Sequence, residues 1–309
     1  MENRFNIFRS KLAFGIVCLV LFFGLFVIKS DLVETRLGRE IWNLGHLFSF
    51  FIAWMFLINL FPVFYPKSLK HITLVVLLTL ISSFAIEIIQ HFIGRSASVK
   101  DIGLNIGGTF IALSIVILKS RILRNYFKVH VSFFFLVTIL VLWPSMKVFI
   151  DEVHIRQQFP VLSDFSRSFE ISRWSTNHSK VKLVRTDDRD VLKVTLLPEG
   201  KYSIVALQTS GDNWSEYTEL VIEIVNKAGI DFPITIRVHD SLHNNRYSDR
   251  YNNTYNLQPG ASTIIVQIID IYKSPKDRKM DLNNISSVTL FGMNLDAEKE
   301  LQINKVYLR

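Results

Sequence analysis

Apolar residues come in long unbroken runs as far as about Ile150 and in short alternating ones after it. A helix needs about 20 mostly apolar residues to cross a hydrocarbon core of roughly 30 Å. Five runs reach or approach that length, at about 12–28, 44–64, 72–93, 102–118 and 129–150. Short charged stretches separate them, and no soluble core formed by 150 residues would enclose all five. Residues 1–150 are therefore read as an α-helical membrane bundle of about five helices. After a linker at 151–163 the period changes. "DVLKVTLL", "ELVIEIVN", "PITIRVHD", "STIIVQII", "SSVTLFGM" and "LQINKVYL" are short, β-branched and roughly alternating. Turn-forming stretches lie between them, which predicts an all-β antiparallel jelly-roll sandwich over residues 164–309. The connection "SLHNNRYSDRYNNTYNLQPG" is read as a long loop, either simply solvated or functional, as loops of that length commonly are.

Charge adds sidedness. Arg4, Arg9 and Lys11 precede the first run as in a signal peptide. However, that run is longer than a typical signal core and "VIKSDLVETR" lacks a small-x-small cleavage site, so the run is read as a retained anchor. Alternating crossings put Arg4, Arg9, Lys11, Lys67, Lys70, Lys119, Arg121, Arg124 and Lys128 on one side of the membrane. The other side receives only Lys29, Arg36, Arg39, Arg95 and Lys100. Basic loops stay in the cytoplasm, so the N-terminus is expected inside and the β-rich half outside. The net charge of +8 follows from that topology. With no nucleic-acid motif present, nucleic acid is excluded as a partner. The single cysteine, Cys18, excludes a disulfide or a cysteine-based metal site within the chain. No metal or other cofactor is expected; no D-x-D-x-D run marks a calcium site, and that possibility is left open.

Polar residues interrupt the apolar pattern in one place, "AIEIIQHFIGRSASVKDIGLNIGG", residues 85–108. Ionisable groups cost about 2.5–3.5 kcal/mol each at mid-bilayer on insertion scales, and those retained in membrane spans are often functional. The topology places His46, Glu87, Gln90, Arg95, Ser98, Asp101 and Asn105 together at the outer membrane face. Glu87, Gln90 and His91 have helical spacing for one face, as do Asp101 and Asn105. Asp101 suits a helix N-terminus, and Gly103 with Gly107 forms a G-x-x-x-G close-approach pattern. The candidate catalytic set is His46, Glu87, Arg95 and Asp101, supported by Gln90, Ser98 and Asn105. In it Glu87 or His46 would exchange protons and Arg95 would hold a phosphate or carboxylate. The alternative is purely structural: Asp101 as a cap, Arg95 and Lys100 as interfacial anchors, Glu87 paired to Arg95, His46 packed between helices. No nucleophile motif accompanies the set, so the pattern leaves enzyme and binder both open.

These residues resemble the VanZ-like family of bacterial membrane proteins, named for a protein linked to teicoplanin resistance. The resemblance lies in His46 of "NLGHLFSFFIAW", Glu87 and Gln90 of "EIIQ", Arg95 and Ser98 of "GRSAS", and Asp101, Asn105 and Gly108 of "DIGLNIGG". It covers about residues 40–120 and implies a four-span protein of the bacterial cytoplasmic membrane associated with glycopeptide response, extended here by a fifth span. The β-rich half is similar to the galactose-binding-like jelly rolls that include carbohydrate-binding modules, through "NWSEYTELVIEIVN", "PITIRVHD" and "MDLNNISSVTLFGMN…LQINKVYLR". Sugar-binding candidates are Arg237, His239 and Asp240 at a strand end, with Tyr247, Tyr251 and Tyr255, because aromatic faces stack on pyranose rings while charged groups read hydroxyls. Trp174 and Trp214 fit either a core or a site. The expected protein is a multi-pass cell-envelope protein whose outer polar site binds or modifies a lipid-linked or cell-wall component and whose sandwich binds glycan. The expected partners are membrane lipid and envelope glycan. The alternative is a non-catalytic, membrane-anchored glycan-binding or scaffold protein.

Overall fold

The computed structural model describes residues 15, 36–93, 98–120 and 127–309. The predicted span at 12–28 lies outside the described residues, apart from Gly15. The described residues divide into two compact units, residues 37–146 and residues 147–309 with Arg36.

Among the described residues four helices are long and apolar enough to cross a membrane. They are α1 (Arg36–Leu60), α2 (Leu69–Phe92), α3 (Val99–Ser120) and α4 (Phe127–Gln158). Two boundaries differ from the sequence reading. α1 starts at Arg36 instead of 44, because Gly38, Arg39 and Glu40 extend the helix without adding apolar character. α4 continues to Gln158 through most of the expected 151–163 linker, since "DEVHIRQQ" contains no helix breaker.

Within the first unit α1, α2 and α3 share an apolar core of Phe50, Trp54, Ile58, Val75, Ile86, Ala112, Leu113 and Val116. α3 is the most enclosed helix and α4 the least. A Cβ on Gly108 would fall 2.1 Å from the Leu47 carbonyl oxygen and 2.9 Å from the Phe51 nitrogen. Only glycine lets the backbones of α1 and α3 come this close. Gly107 likewise seats Val141 of α4, whereas Gly103 faces open space. The adjacent pair Gly107–Gly108, and not the predicted G-x-x-x-G, therefore sets the packing.

The second unit is a two-sheet antiparallel sandwich. Its strands are β1 (Val161–Ser163), β2 (Trp174–Asn177), β3 (Ser179–Arg185), β4 (Asp190–Leu196), β5 (Tyr202–Asp212), β6 (Glu219–Asn226), β7 (Phe232–Asp240), β8 (Tyr251–Leu257), β9 (Gly260–Gln267), β10 (Ile285–Met293) and β11 (Lys299–Leu308). One sheet runs β3-β4-β11-β6-β9, with β1 also paired to β11; the other runs β2-β5-β10-β7-β8. Alternation sends Leu192, Val194, Leu220, Ile222, Leu301 and Ile303 inward from the first sheet. They meet Val205, Leu207, Ile234, Ile236, Val288 and Leu290 from the second. A register shift between Ile303 and Lys305 keeps Val306 inward past the irregularity. Trp174 and Trp214 both belong to this core. β8 occupies residues 251–257 of the expected loop at 241–260. Its sequence, "YNNTYNL", is an edge strand whose solvent side is polar, so apolar alternation was weak.

Candidate functional site

Two polar sites emerge, one in each unit. In the helical unit α2 presents Thr79, Ser83, Glu87 and Gln90, all buried, along one face. α3 answers with Asp101, Asn105 and Thr109 at helical spacing, also buried. Asn105 Nδ2 donates to Ser83 Oγ at 3.2 Å, and the Thr79 and Thr109 hydroxyls lie 3.1 Å apart. Trp54 Nε1 closes the deep end on Thr79 Oγ1 at 2.8 Å. At the other end the Ser98 N–H donates to Glu87 Oε2 at 2.6 Å, and His46 Nε2 stands 3.7 Å from Asp101 Oδ2. Ser98 performs the capping expected of Asp101: its Oγ accepts the Asp101 N–H at 3.3 Å, ahead of the first helical residue Val99.

The structure thus brings His46, Glu87, Gln90, Ser98, Asp101 and Asn105 into one seam, while Arg95 lies outside the described residues. His91 is exposed and leaves the face that Glu87 and Gln90 share. Lys100 pairs with Glu40 at 2.8 Å, and Ser145 Oγ donates to the same carboxylate at 3.2 Å. The seam also reaches deeper than the sequence reading placed it, through Ser83, Thr79, Thr109 and Trp54. Their signal was present as an i, i+4, i+8 repeat from Thr79 through Ser83 to Glu87. Short hydroxyl residues are common in apolar helices, and that masked it. Glu87 Oε1, Gln90 Nε2 and Asn105 Oδ1 are buried without a hydrogen-bond partner among the described residues. Such groups cost free energy unless something else satisfies them.

The second site is the outer face of the five-stranded sheet. Cross-strand register sets its rows: Phe291 stands between Ile204 and Thr235, Thr289 between Ala206 and Arg237, and Ser287 between Gln208 and His239. β8 adds Asn252 opposite Arg237 and Thr254 opposite Thr235. The Arg237 guanidinium lies over the Phe291 ring, 4.8 Å from its centroid, and Tyr202 meets that ring edge-on at 5.7 Å. Arg250 lies over Tyr247 at 5.5 Å. His239 stacks on His243 with ring centroids 4.8 Å apart. Burial pushes the His239 imidazole below its ordinary value, with repulsion from His243 and Arg237 in the same direction. His239 is therefore mostly neutral at pH 7.

Of the six residues proposed from sequence to read a sugar, Arg237 and His239 face outward on this sheet and Tyr247 is exposed beside it. The other three do not face outward on this sheet. Tyr251 and Tyr255 share the core side of β8, their hydroxyls 3.0 Å apart, because the register opposes them to Val238 and Ile234. Asp240 is buried and clamps loops: it accepts from both terminal nitrogens of Arg278, one at 2.7 Å, and from the Asp281 N–H at 2.7 Å. Arg278 Nε also donates to Asp249 at 2.6 Å, and this bond chiefly holds the Asp249 carboxyl below the usual range. Tyr202, Phe291, Asn252 and Arg250 were missed, since only strand pairing puts them beside Arg237.

A separate open cleft of about 320 Å³ is lined by Tyr217, Thr218, Gln267, Ile269 and Tyr272 among others. Among the described residues no group of three or more His, Cys, Asp or Glu side chains is arranged to hold a metal ion.

No family model matches the chain, and no curated protein matches it. The resemblance to the VanZ-like family therefore rests on the quoted residues. Among solved structures the chain is similar to a family 11 carbohydrate-binding module from Clostridium thermocellum in complex with a β-1,3-1,4-mixed-linked tetrasaccharide. That match has 16% identity and a TM-score of 0.39 over 48% of this chain and 93% of the module. A family 30 module of a cellulosomal cellulase of the same organism matches at 15% identity and TM-score 0.34, over 44% of this chain and 86% of that one. An exo-β-agarase matches at 14% identity and TM-score 0.41, over 48% of this chain and 24% of the enzyme.

Proposed function

We propose that this chain is an integral protein of a bacterial cell envelope, its helices in the cytoplasmic membrane and its sandwich outside, where the outer face of the five-stranded sheet binds envelope glycan. The helical unit supports the membrane part: Phe84, Ile88, Phe133, Phe135, Leu136 and Leu140 are exposed, which water penalises and lipid does not. The excess of basic residues before the first span and between later ones supports the orientation. One observation carries the glycan part. Aromatic rings, hydroxyls, amides and guanidinium groups lie on one continuous sheet face, and the Asn252 amide is buried with both polar atoms unpartnered. An exposed Tyr202 ring beside polar groups of unfilled capacity suits a pyranose ring, which has apolar faces and a hydroxyl edge.

The test is co-sedimentation of the full-length protein, in nanodiscs, with purified cell-wall glycan. Tyr202→Ala, which removes the ring beside Phe291, is expected to weaken retention about threefold to tenfold, as loss of an aromatic contact does. Wild-type protein left entirely in the supernatant would refute glycan binding.

A second reading concerns the buried seam and follows the VanZ-like resemblance. Here Glu87 and His46 serve a bound lipid-linked or cell-wall component, and Arg95 holds its phosphate or carboxylate. The partnerless Glu87 Oε1, Gln90 Nε2 and Asn105 Oδ1 favour it. The closed packing of the seam favours the alternative, a non-catalytic anchor. Under the second reading Glu87→Gln and His46→Ala abolish an envelope phenotype while membrane protein levels stay normal. A fall in the level of folded protein, with phenotype scaling to it, would return both residues to packing.

A further inference from the structure

The sandwich contains four arginines that are not exposed: Arg173, Arg237, Arg250 and Arg278. Two of them follow the usual rule that a desolvated cation is paired. Arg173 grips Asp151, and Arg278 bridges Asp240 and Asp249. Arg237 and Arg250 break that rule. Neither guanidinium has a hydrogen bond or ion pair among the described residues, and the Nε of each is buried without an acceptor. They are also neighbours, since Arg237 stands opposite Asn252 and Arg250 precedes that position by two residues in extended backbone. That is the diagonal position across a strand pair, about 7–8 Å between backbones and within reach of long side chains. Burial depresses both guanidinium groups below the ordinary arginine value, and Arg250 lowers Arg237 further by repulsion. The outward rows of β5, β10 and β7 between Tyr202 and His239 contain no carboxylate to relieve them. The folded protein thus holds two cations near each other, each over an aromatic ring, with the unfilled Asn252 amide opposite Arg237.

We propose that Arg237 and Arg250 form an oxyanion subsite, which takes a carboxylate, sulfate or phosphate substituent of a sugar ring, with Asn252 hydrogen-bonding the same residue. The proposal rests on the glycan reading of this sheet face and names the class of glycan: an acidic one. The planar donor edges of guanidinium groups match the oxygens of an oxyanion in pairs. Bringing one negative group between them removes the repulsion and fills donors that water reaches poorly. A neutral glycan would gain from the exposed Tyr202 ring but would leave both charges uncompensated.

The experiment uses the full-length protein in phosphatidylcholine nanodiscs, titrated with tetragalacturonate, a κ-carrageenan tetrasaccharide and cellotetraose. The first two separate carboxylate from sulfate, and the third is neutral. At least one acidic oligosaccharide is expected to bind at least about 30-fold more tightly than cellotetraose, an advantage that shrinks with added salt. Arg237→Gln and Arg250→Gln should each remove most of that advantage. Arg237→Lys should restore part of it, and Arg185→Gln on the opposite sheet should leave it intact. Equal binding of acidic and neutral sugars, unchanged by the arginine variants, would overturn the acidic subsite while leaving glycan binding standing. Failure of every oligosaccharide would overturn both. Binding to phosphatidylglycerol vesicles but to no sugar would assign the arginines to lipid headgroups and also overturn the proposal.

Discussion

Arg173→Met is expected to destabilise the sandwich by about 3 kcal/mol, because removing one partner of a buried ion pair strands the other. Arg173 and Asp151 are both fully enclosed. The guanidinium donates to Asp151 through Nε at 3.0 Å and Nη2 at 2.7 Å, and to the Leu162 carbonyl at 2.7 Å. Its Nη1 also lies 3.5 Å from Glu170. The Glu170 carboxylate in turn accepts the N–H groups of Asp164, Phe165 and Arg167. Asp151 keeps Arg36, which groups with the same unit, so the loss sits at the lower end of the range for buried pairs. Methionine fills much of the arginine stem's volume, which isolates the charge effect from a cavity effect. Amide exchange in β10 and β11, central strands that open only with the whole sandwich, should accelerate about 100-fold. Exchange within a factor of three of wild type would mean that Asp151 is solvated without its partner.

Asp240→Ala is the second large effect, about 3 kcal/mol, and it falls on stability and not on sugar recognition. Its carboxylate is fully enclosed, while Arg278 is a quarter exposed and retains Asp249, which limits the loss. Three segments depend on the carboxylate: the end of β7, the loop around Asp249, and residues 278–281, whose Asp281 N–H it accepts. Amide exchange in 241–249 and 278–284 is expected to rise first. The folded fraction should keep its affinity for glycan. A variant of unchanged stability that no longer bound sugar would make Asp240 a sugar reader after all.

These two carboxylates mark the boundary of what was legible. Residue type, strand-end position and a neighbouring His made Asp240 look like a binding group, and Asp151 sat in what looked like a linker. The direction in which a side chain leaves its strand is set by register, and register depends on the pairing partner. Tyr251 and Tyr255 illustrate the same point: period two fixes that they share a side, but only opposition to Val238 and Ile234 makes it the core side. The helical seam was more readable. Spacing of 3.6 residues per turn already grouped Glu87 with Gln90 and Asp101 with Asn105, so only the helix pairing had to be supplied. Its deep end, Thr79 against Thr109 and Trp54, was lost among apolar residues that tolerate a hydroxyl.

Sequence alone determined the division into an apolar helical half and a strand-rich half, since run length and period report directly on local geometry. It also determined six of the strands and most of the polar seam. Tertiary structure decided which face each strand residue occupies, that Gly108 and not Gly103 admits the neighbouring helix, and that two arginines stand together without a counter-charge. Those properties depend on contacts between residues far apart in the chain, and no local pattern encodes them.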